Sequence, residues 1–303
     1  MRIGLLLGGL QDARALGALA AEAEALGFDS LWAGDHIAFP APILDPLQLL
    51  ACFASHTQRV RLGTCVYLVP LRHPTVIAKM VSSLDVIAAG RIIFGIGVGG
   101  EFPAEFRASG IPVNERGART DEALTVLRRL WSADAQEHVG RFFCVGGVRL
   151  QPLPVQPGGP PIWVGGRSDA ALRRTARCGN GYVGYLLSPD GFRDRMARIR
   201  AWANAAGRSD QAITGALMTF AAVDDDRAAA VHRAGAILGA MYGRNMDGAA
   251  ERYCIAGDPE HCRAAVQRFA AAGVEHLILT PLAYGGGALE QIRALARALP
   301  LGK

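Results

Sequence analysis

Short apolar runs of strand length alternate along the chain with longer Ala-, Leu- and Arg-rich segments whose apolar positions recur at helical spacing. This is the pattern of repeated βα units on a parallel sheet. Arg2 to Leu7 reads as the first strand, and Asp12 to Leu26 as a helix closed by Gly27; glycine is favoured there because a left-handed residue just past a helix end costs it nothing. Ser30 to Ala33 is the second strand. Asp45-Pro46 then supplies an N-cap and a proline at the first helical position, opening the helix that contains Leu47 to Ser55. Arg61 to Val69 is predicted as a third strand, Pro74 to Ala88 as helix, Arg91 to Val98 as strand and Asn114 to Trp131 as a long helix.

The rhythm breaks from about residue 136 to 159, where Gly, Phe and spaced Pro suggest a hairpin excursion, and again over about 225 to 252, a helical insert. Between and beyond them the alternation continues, through strands at Pro161 to Val164, Gly181 to Leu186, Ile213 to Val223 and His276 to Thr280. About eight strands result, the number that closes a (β/α)8 barrel. A doubly wound open sheet is the rival, because alternation alone does not fix strand order. No linker or low-complexity stretch divides the chain, so residues 1–303 are expected to form one domain.

With 303 residues, half of them hydrophobic, the chain is long enough to bury a large core. No apolar run reaches the roughly 20 residues that cross a bilayer, and no signal-peptide pattern precedes the first helix. A cytoplasmic protein without a membrane partner is expected. The six cysteines are scattered without the close pairs of zinc sites, so neither a metal nor a disulfide framework is indicated. The net charge of +5 comes from dispersed arginines, which argues against nucleic acid and leaves small anionic ligands open.

Candidate chemistry gathers where strands end, since the C-terminal rim of a barrel is where catalytic groups collect. Gly95, Gly97 and Gly100 have dinucleotide-fingerprint spacing, yet Glu101-Phe102-Pro103 interrupts where that fingerprint needs a helix to begin. Gly97, Val98, Gly99 and Gly100 read instead as a turn offering backbone N–H groups to a phosphate, with a plain βα turn as the alternative. Gly165-Gly166 form a second such turn, where Arg167 adds a charge. Asp35-His36 follows the second strand: His36 exchanges protons near neutral pH, and the adjacent carboxylate is placed to set its tautomer. A cap at Asp35 and a packed His36 are the competing account. Glu101 and Glu105 read as solvated acids, with general acid catalysis as the alternative, and Arg116, Arg119 and Glu122 as an exposed ion-pair face.

The segments Ala21 to His36, Arg59 to Pro74, Ser83 to Phe106, Glu115 to Trp131 and Pro160 to Ser168 together resemble the luciferase-like monooxygenase superfamily. That resemblance implies a bacterial-luciferase-like form of the (β/α)8 TIM barrel and a flavin-type cofactor, coenzyme F420 or alternatively FMN. In F420-dependent members the position of His36 approaches the reactive ring, supported by that of Asp35. The resemblance also implies a non-prolyl cis peptide in the third strand, here Cys65-Val66, against the ring, and phosphate-binding turns at Gly97 to Gly100 and Gly165-Gly166. Ala88-Ala89-Gly90 departs from the usual Ser-Gly-Gly, and Glu101 is shifted by one from the acid that some F420 enzymes use. The implied activity is F420-dependent hydride transfer to or from a small organic substrate. The alternatives are an FMN monooxygenase served by a separate flavin reductase, and a flavin-binding protein without chemistry. A homodimer or higher homo-oligomer is implied as well.

Overall fold

The computed structural model describes the chain apart from residues 9–13, 41, 133–136, 210–211, 244, 284–286 and 303. Eight parallel strands close on themselves: β1 (Arg2–Leu6), β2 (Ser30–Ala33), β3 (Arg61–Thr64), β4 (Ile92–Gly97), β5 (Ile162–Gly165), β6 (Gly181–Tyr185), β7 (Thr214–Val223) and β8 (His276–Pro281). Closure runs through β8 beside β1, with Arg2 opposite His276, while β6 and β7 pair Gly181 with Thr214. Strand order follows chain order, so the open doubly wound sheet is excluded.

Local signals set most element ends. The Asp45 carboxylate accepts from Leu47 N at 3.0 Å to cap helix Pro46–His56. Ser168, Ser188 and Asp258 cap later helices in the same manner. Gly27 has a φ of +94°, the left-handed conformation its place after a helix requires. The first helix spans Leu16–Ala25; its expected start at Asp12 lies outside the described residues. No helix among the described residues is long and apolar enough to cross a membrane.

The predicted third strand is interrupted. After Thr64 comes a cis peptide at Cys65-Val66, then the short strand Tyr67–Leu68 beside Ile96 and Gly97, then a 3-10 turn at Val69–Leu71. The 136–159 excursion contains a small antiparallel pair, His138–Val139 with Cys144–Val145, its first residue lying outside the described set. The 225–252 insert comprises helices Arg227–Tyr242 and Asp247–Tyr253, and a short strand, Ile255–Gly257, then extends the sheet beside β7. Among the described residues the expected ion-pair face of Arg116, Arg119 and Glu122 does not form: Arg116 donates to the Val113 carbonyl, Arg119 pairs with Glu115, and Glu122 faces His138 and accepts backbone N–H groups of Arg141, Phe142 and Phe143.

Alternation along each strand separates two apolar layers. Outward residues such as Leu31, Leu62, Phe94 and Val164 pack under the helices. Inward residues, Trp32, Ile93, Trp163, Val183, Met218 and Ile278, fill the barrel and merge with the inner face of the 227–253 helices. At the base Trp32 and Trp163 lie 5.2 Å apart between ring centroids, and each meets His276 edge-on. The Ser30 hydroxyl accepts from Trp32 Nε1 at 2.7 Å and stands 2.6 Å from His276 Nε2. These rings close the floor of the barrel.

Candidate active site

At the rim, Asp35 and His36 leave the end of β2 in opposite directions. The Asp35 carboxylate is buried; it accepts Leu68 N at 2.8 Å, Arg72 Nη1 at 2.6 Å and Arg72 Nη2 at 2.9 Å. Burial works against the Arg72 charge, but the bonds and charge of Asp35 outweigh it and hold the guanidinium pKa above its ordinary value. Arg72 also covers the Tyr67 ring at 4.5 Å. Asp35 is therefore spent on fixing the loop after the cis peptide, and the expectation that it orients His36 is corrected.

The carboxylate that meets His36 is Glu105. Its two oxygens lie 3.2 and 3.1 Å from Nδ1, and Oε1 also accepts Ile37 N at 2.6 Å and Ala38 N at 3.1 Å. A carboxylate there accepts, so Nδ1 is the donor to Glu105, and in the neutral ring Nε2 keeps the lone pair. The Glu105 side chain is 1% exposed against 24% for His36, which overturns its reading as a solvated acid. It sits on a helix the sequence reading missed, Pro103–Ala108, where proline at the first position and Glu at the third were the available signals. Glu101, by contrast, is exposed. Phe39 stacks on His36 at 4.5 Å and Phe102 meets it edge-on at 5.1 Å, so apolar rings hold the imidazole plane from two sides.

The glycines serve two purposes. A Cβ on Gly97 would stand 2.5 Å from Val66 Cγ2, and one on Gly165 would stand 2.7 Å from Val66 Cγ1. Those two positions make room for Val66, so the Val66 side chain occupies the rim between β4 and β5. Gly99, Gly100 and Gly166 instead have φ of +62°, +106° and +138°, which L side chains rarely adopt. Val98 lies between the two sets, partly buried. Beyond Gly166, the exposed Arg167 lies 5.9 Å from the Tyr185 ring, and Ser168 caps the ten-residue helix Asp169–Cys178, whose N-terminus faces the same turn. A flat ring against Val66 and a phosphate near Gly166, Arg167 and that helix terminus fit this arrangement. Burial pushes the Cys65 thiol up to about 12, so it stays neutral beside the ring position. The hydroxyls of Tyr185 and Tyr242 hydrogen-bond across the mouth, and burial first, then its neighbour Tyr242, raises the Tyr185 pKa.

The luciferase-like monooxygenase family model matches residues 1–276. The F420-dependent glucose-6-phosphate dehydrogenase of Kineococcus radiotolerans is 29% identical over 289 residues, 86% of this chain and 84% of that one. A monooxygenase from Streptomyces bottropensis superposes with a TM-score of 0.84 at 26% identity, over 98% of both chains. An F420-dependent secondary alcohol dehydrogenase solved with an F420-acetone adduct gives a TM-score of 0.87 at 21% identity, over 100% of this chain and 99% of that one, a likeness of fold alone. On the extent of the family match, with the closed barrel beneath it, this chain belongs to the luciferase-like monooxygenase family.

Proposed function

We propose that this chain is a coenzyme F420-dependent oxidoreductase acting on a small organic alcohol or ketone. The observation that carries the reading is the His36–Glu105 pair, 3.1 Å apart at the C-terminal rim of the barrel. Oxidising an alcohol to a ketone removes a hydride, for which F420 would supply the two-electron acceptor when bound, and a hydroxyl proton that must leave separately. His36 Nε2 takes that proton, and in the reverse direction returns it to the ketone oxygen. Glu105 holds the imidazole in the required tautomer. Val66, Gly166 and Arg167 would seat the deazaflavin, and Phe39 and Phe102 would exclude water from it. The F420-dependent relative supports this assignment.

A second reading is an FMN monooxygenase fed by a separate flavin reductase, and the Streptomyces bottropensis relative, a monooxygenase, supports its oxygenase character. Equilibrium titration of the purified protein with F420 and with FMN separates the two. Tighter binding of F420 is expected; preference for FMN replaces the first reading with the second, and binding of neither removes both. We also propose that the chain is one domain, that it resides in the cytoplasm, where its six free cysteines stay reduced, and that it self-associates through Val76, Val86 and Ile87, exposed together on helix Pro74–Ile87. Sedimentation at equilibrium tests the last point.

A further inference from the structure

Asp35 and His36 are neighbours in the chain, yet each is tied to a different segment: Asp35 to the loop after the cis peptide, His36 to helix Pro103–Ala108. Those two segments meet again. Leu68, whose N–H Asp35 accepts at 2.8 Å, forms with Leu71 and Phe106 a buried apolar cluster separate from the two layers of the barrel, and Ile111 and Val113 pack against it. A Cβ on Gly99 would stand 3.3 Å from Phe106 Cε2 and 3.4 Å from Leu68 Cδ2, so the glycine turn lies directly on both side chains. Phe106 is fully buried, and the residue before it is Glu105. The ties close a ring, from Asp35 through Leu68, Phe106, Glu105 and His36 back to Asp35.

A helix of six residues does not hold itself in place, because fixing its first turn costs more than its few hydrogen bonds return. Helix Pro103–Ala108 also has no side-chain cap at Phe102, and its far end is tied by Ile111 N, which donates to the Phe106 carbonyl at 2.9 Å. Consecutive helical side chains point about 100° apart. With the Phe106 ring seated in the cluster, Glu105 is turned toward His36, where one oxygen also takes Ile37 N and Ala38 N. Resting on the oxidoreductase reading above for turnover, we propose that Phe106 is a positioning residue: seated against Leu68 and Leu71, it sets the rotation of its helix and so keeps Glu105 on His36 Nδ1. Through the same cluster, the Asp35–Arg72 clamp supports the proton-exchanging pair.

The test is the tautomer of His36, read by nitrogen NMR on the full-length protein without cofactor, at a pH where the ring is neutral. Wild type is expected to show the Nδ1–H form alone. Phe106→Leu, which keeps an apolar group in the cluster, should show some Nε2–H form, and Phe106→Ala, which empties the site, more. Should Phe106→Ala not fold, Phe106→Leu and Leu68→Val carry the comparison. Leu84→Ala, a truncation in the outer apolar layer, should leave the tautomer as in wild type. With F420 and a secondary alcohol, kcat should fall by about tenfold or more in Phe106→Ala, with KM moving by less than about threefold. An Nδ1–H form undisturbed in Phe106→Leu and Leu68→Val overturns the proposal, as does mixing of tautomers in wild type or in Leu84→Ala. Because the NMR needs no cofactor, a shifted tautomer in a protein that does not bind F420 sinks the oxidoreductase reading and leaves the positioning role, and the converse result does the reverse.

Discussion

Arg72 reaches across 37 residues of sequence to place both guanidinium nitrogens on the buried carboxylate of Asp35, and Asp35 also takes the N–H of Leu68. One side chain thereby ties the end of β2 to the segment that follows the cis peptide. Removing it by Arg72→Ala leaves a buried carboxylate without its cation, a change expected to destabilise the protein by about 3–5 kcal/mol. Arg72→Lys should recover only part of that, because an ammonium lacks the planar fork. Urea unfolding of the two variants measures both; a midpoint for Arg72→Ala equal to wild type would show the pair to be dispensable.

Glu105→Gln keeps an oxygen for Ile37 N but removes the charge facing His36 Nδ1. Turnover should fall by about 10²-fold or more, while cofactor affinity is retained. His36→Ala should do the same through the other partner. Steady-state rates beside a cofactor titration check the split, and turnover unaltered in both variants is incompatible with a proton relay.

Gly165→Ala should weaken cofactor binding by pushing Val66 out of place, since the added methyl would stand 2.7 Å from Val66 Cγ1. If that is the reason, Val66→Ala in the same chain restores a good part of the lost affinity. A glycine needed only for approach of a phosphate would give no such rescue, so the double variant tells the two explanations apart.

Burial, followed by the charges of Arg2 and Arg61, pushes the pKa of His276 down to about 3. The unfolded chain binds this proton near pH 6.5 and the folded chain does not, so the contribution works against folding as pH falls through that window. Stability is full above about pH 6.5 and should decline by about 1 kcal/mol per pH unit below it from this group. Unfolding midpoints of wild type and His276→Asn, compared between pH 7 and pH 5, read the difference in slope. Parallel slopes would place the ring outside the linkage.

What the sequence made legible was periodic or local. The strands, the Asp45-Pro46 cap and Gly27 follow from hydrophobic spacing and from residues with fixed backbone preferences, and the rim position of Asp35-His36 follows from the strand before it. The partners did not. Glu105 lies 69 residues from His36 and on a six-residue helix too short to give a period, while Arg72 gives no local sign of the carboxylate it holds. The third strand reads as continuous because its apolar run is continuous, although the chain kinks at Cys65-Val66. The purposes of Gly97 and Gly165 are set by a side chain on a neighbouring strand, which no single-segment reading supplies.

The ring stack of Trp32, Trp163 and His276 at the base of the barrel has a kinetic consequence. With the floor closed, a cofactor and substrate bound at the C-terminal rim would enter from the same end, and on the proposed oxidoreductase reading ordered binding is expected, which product inhibition patterns would reveal.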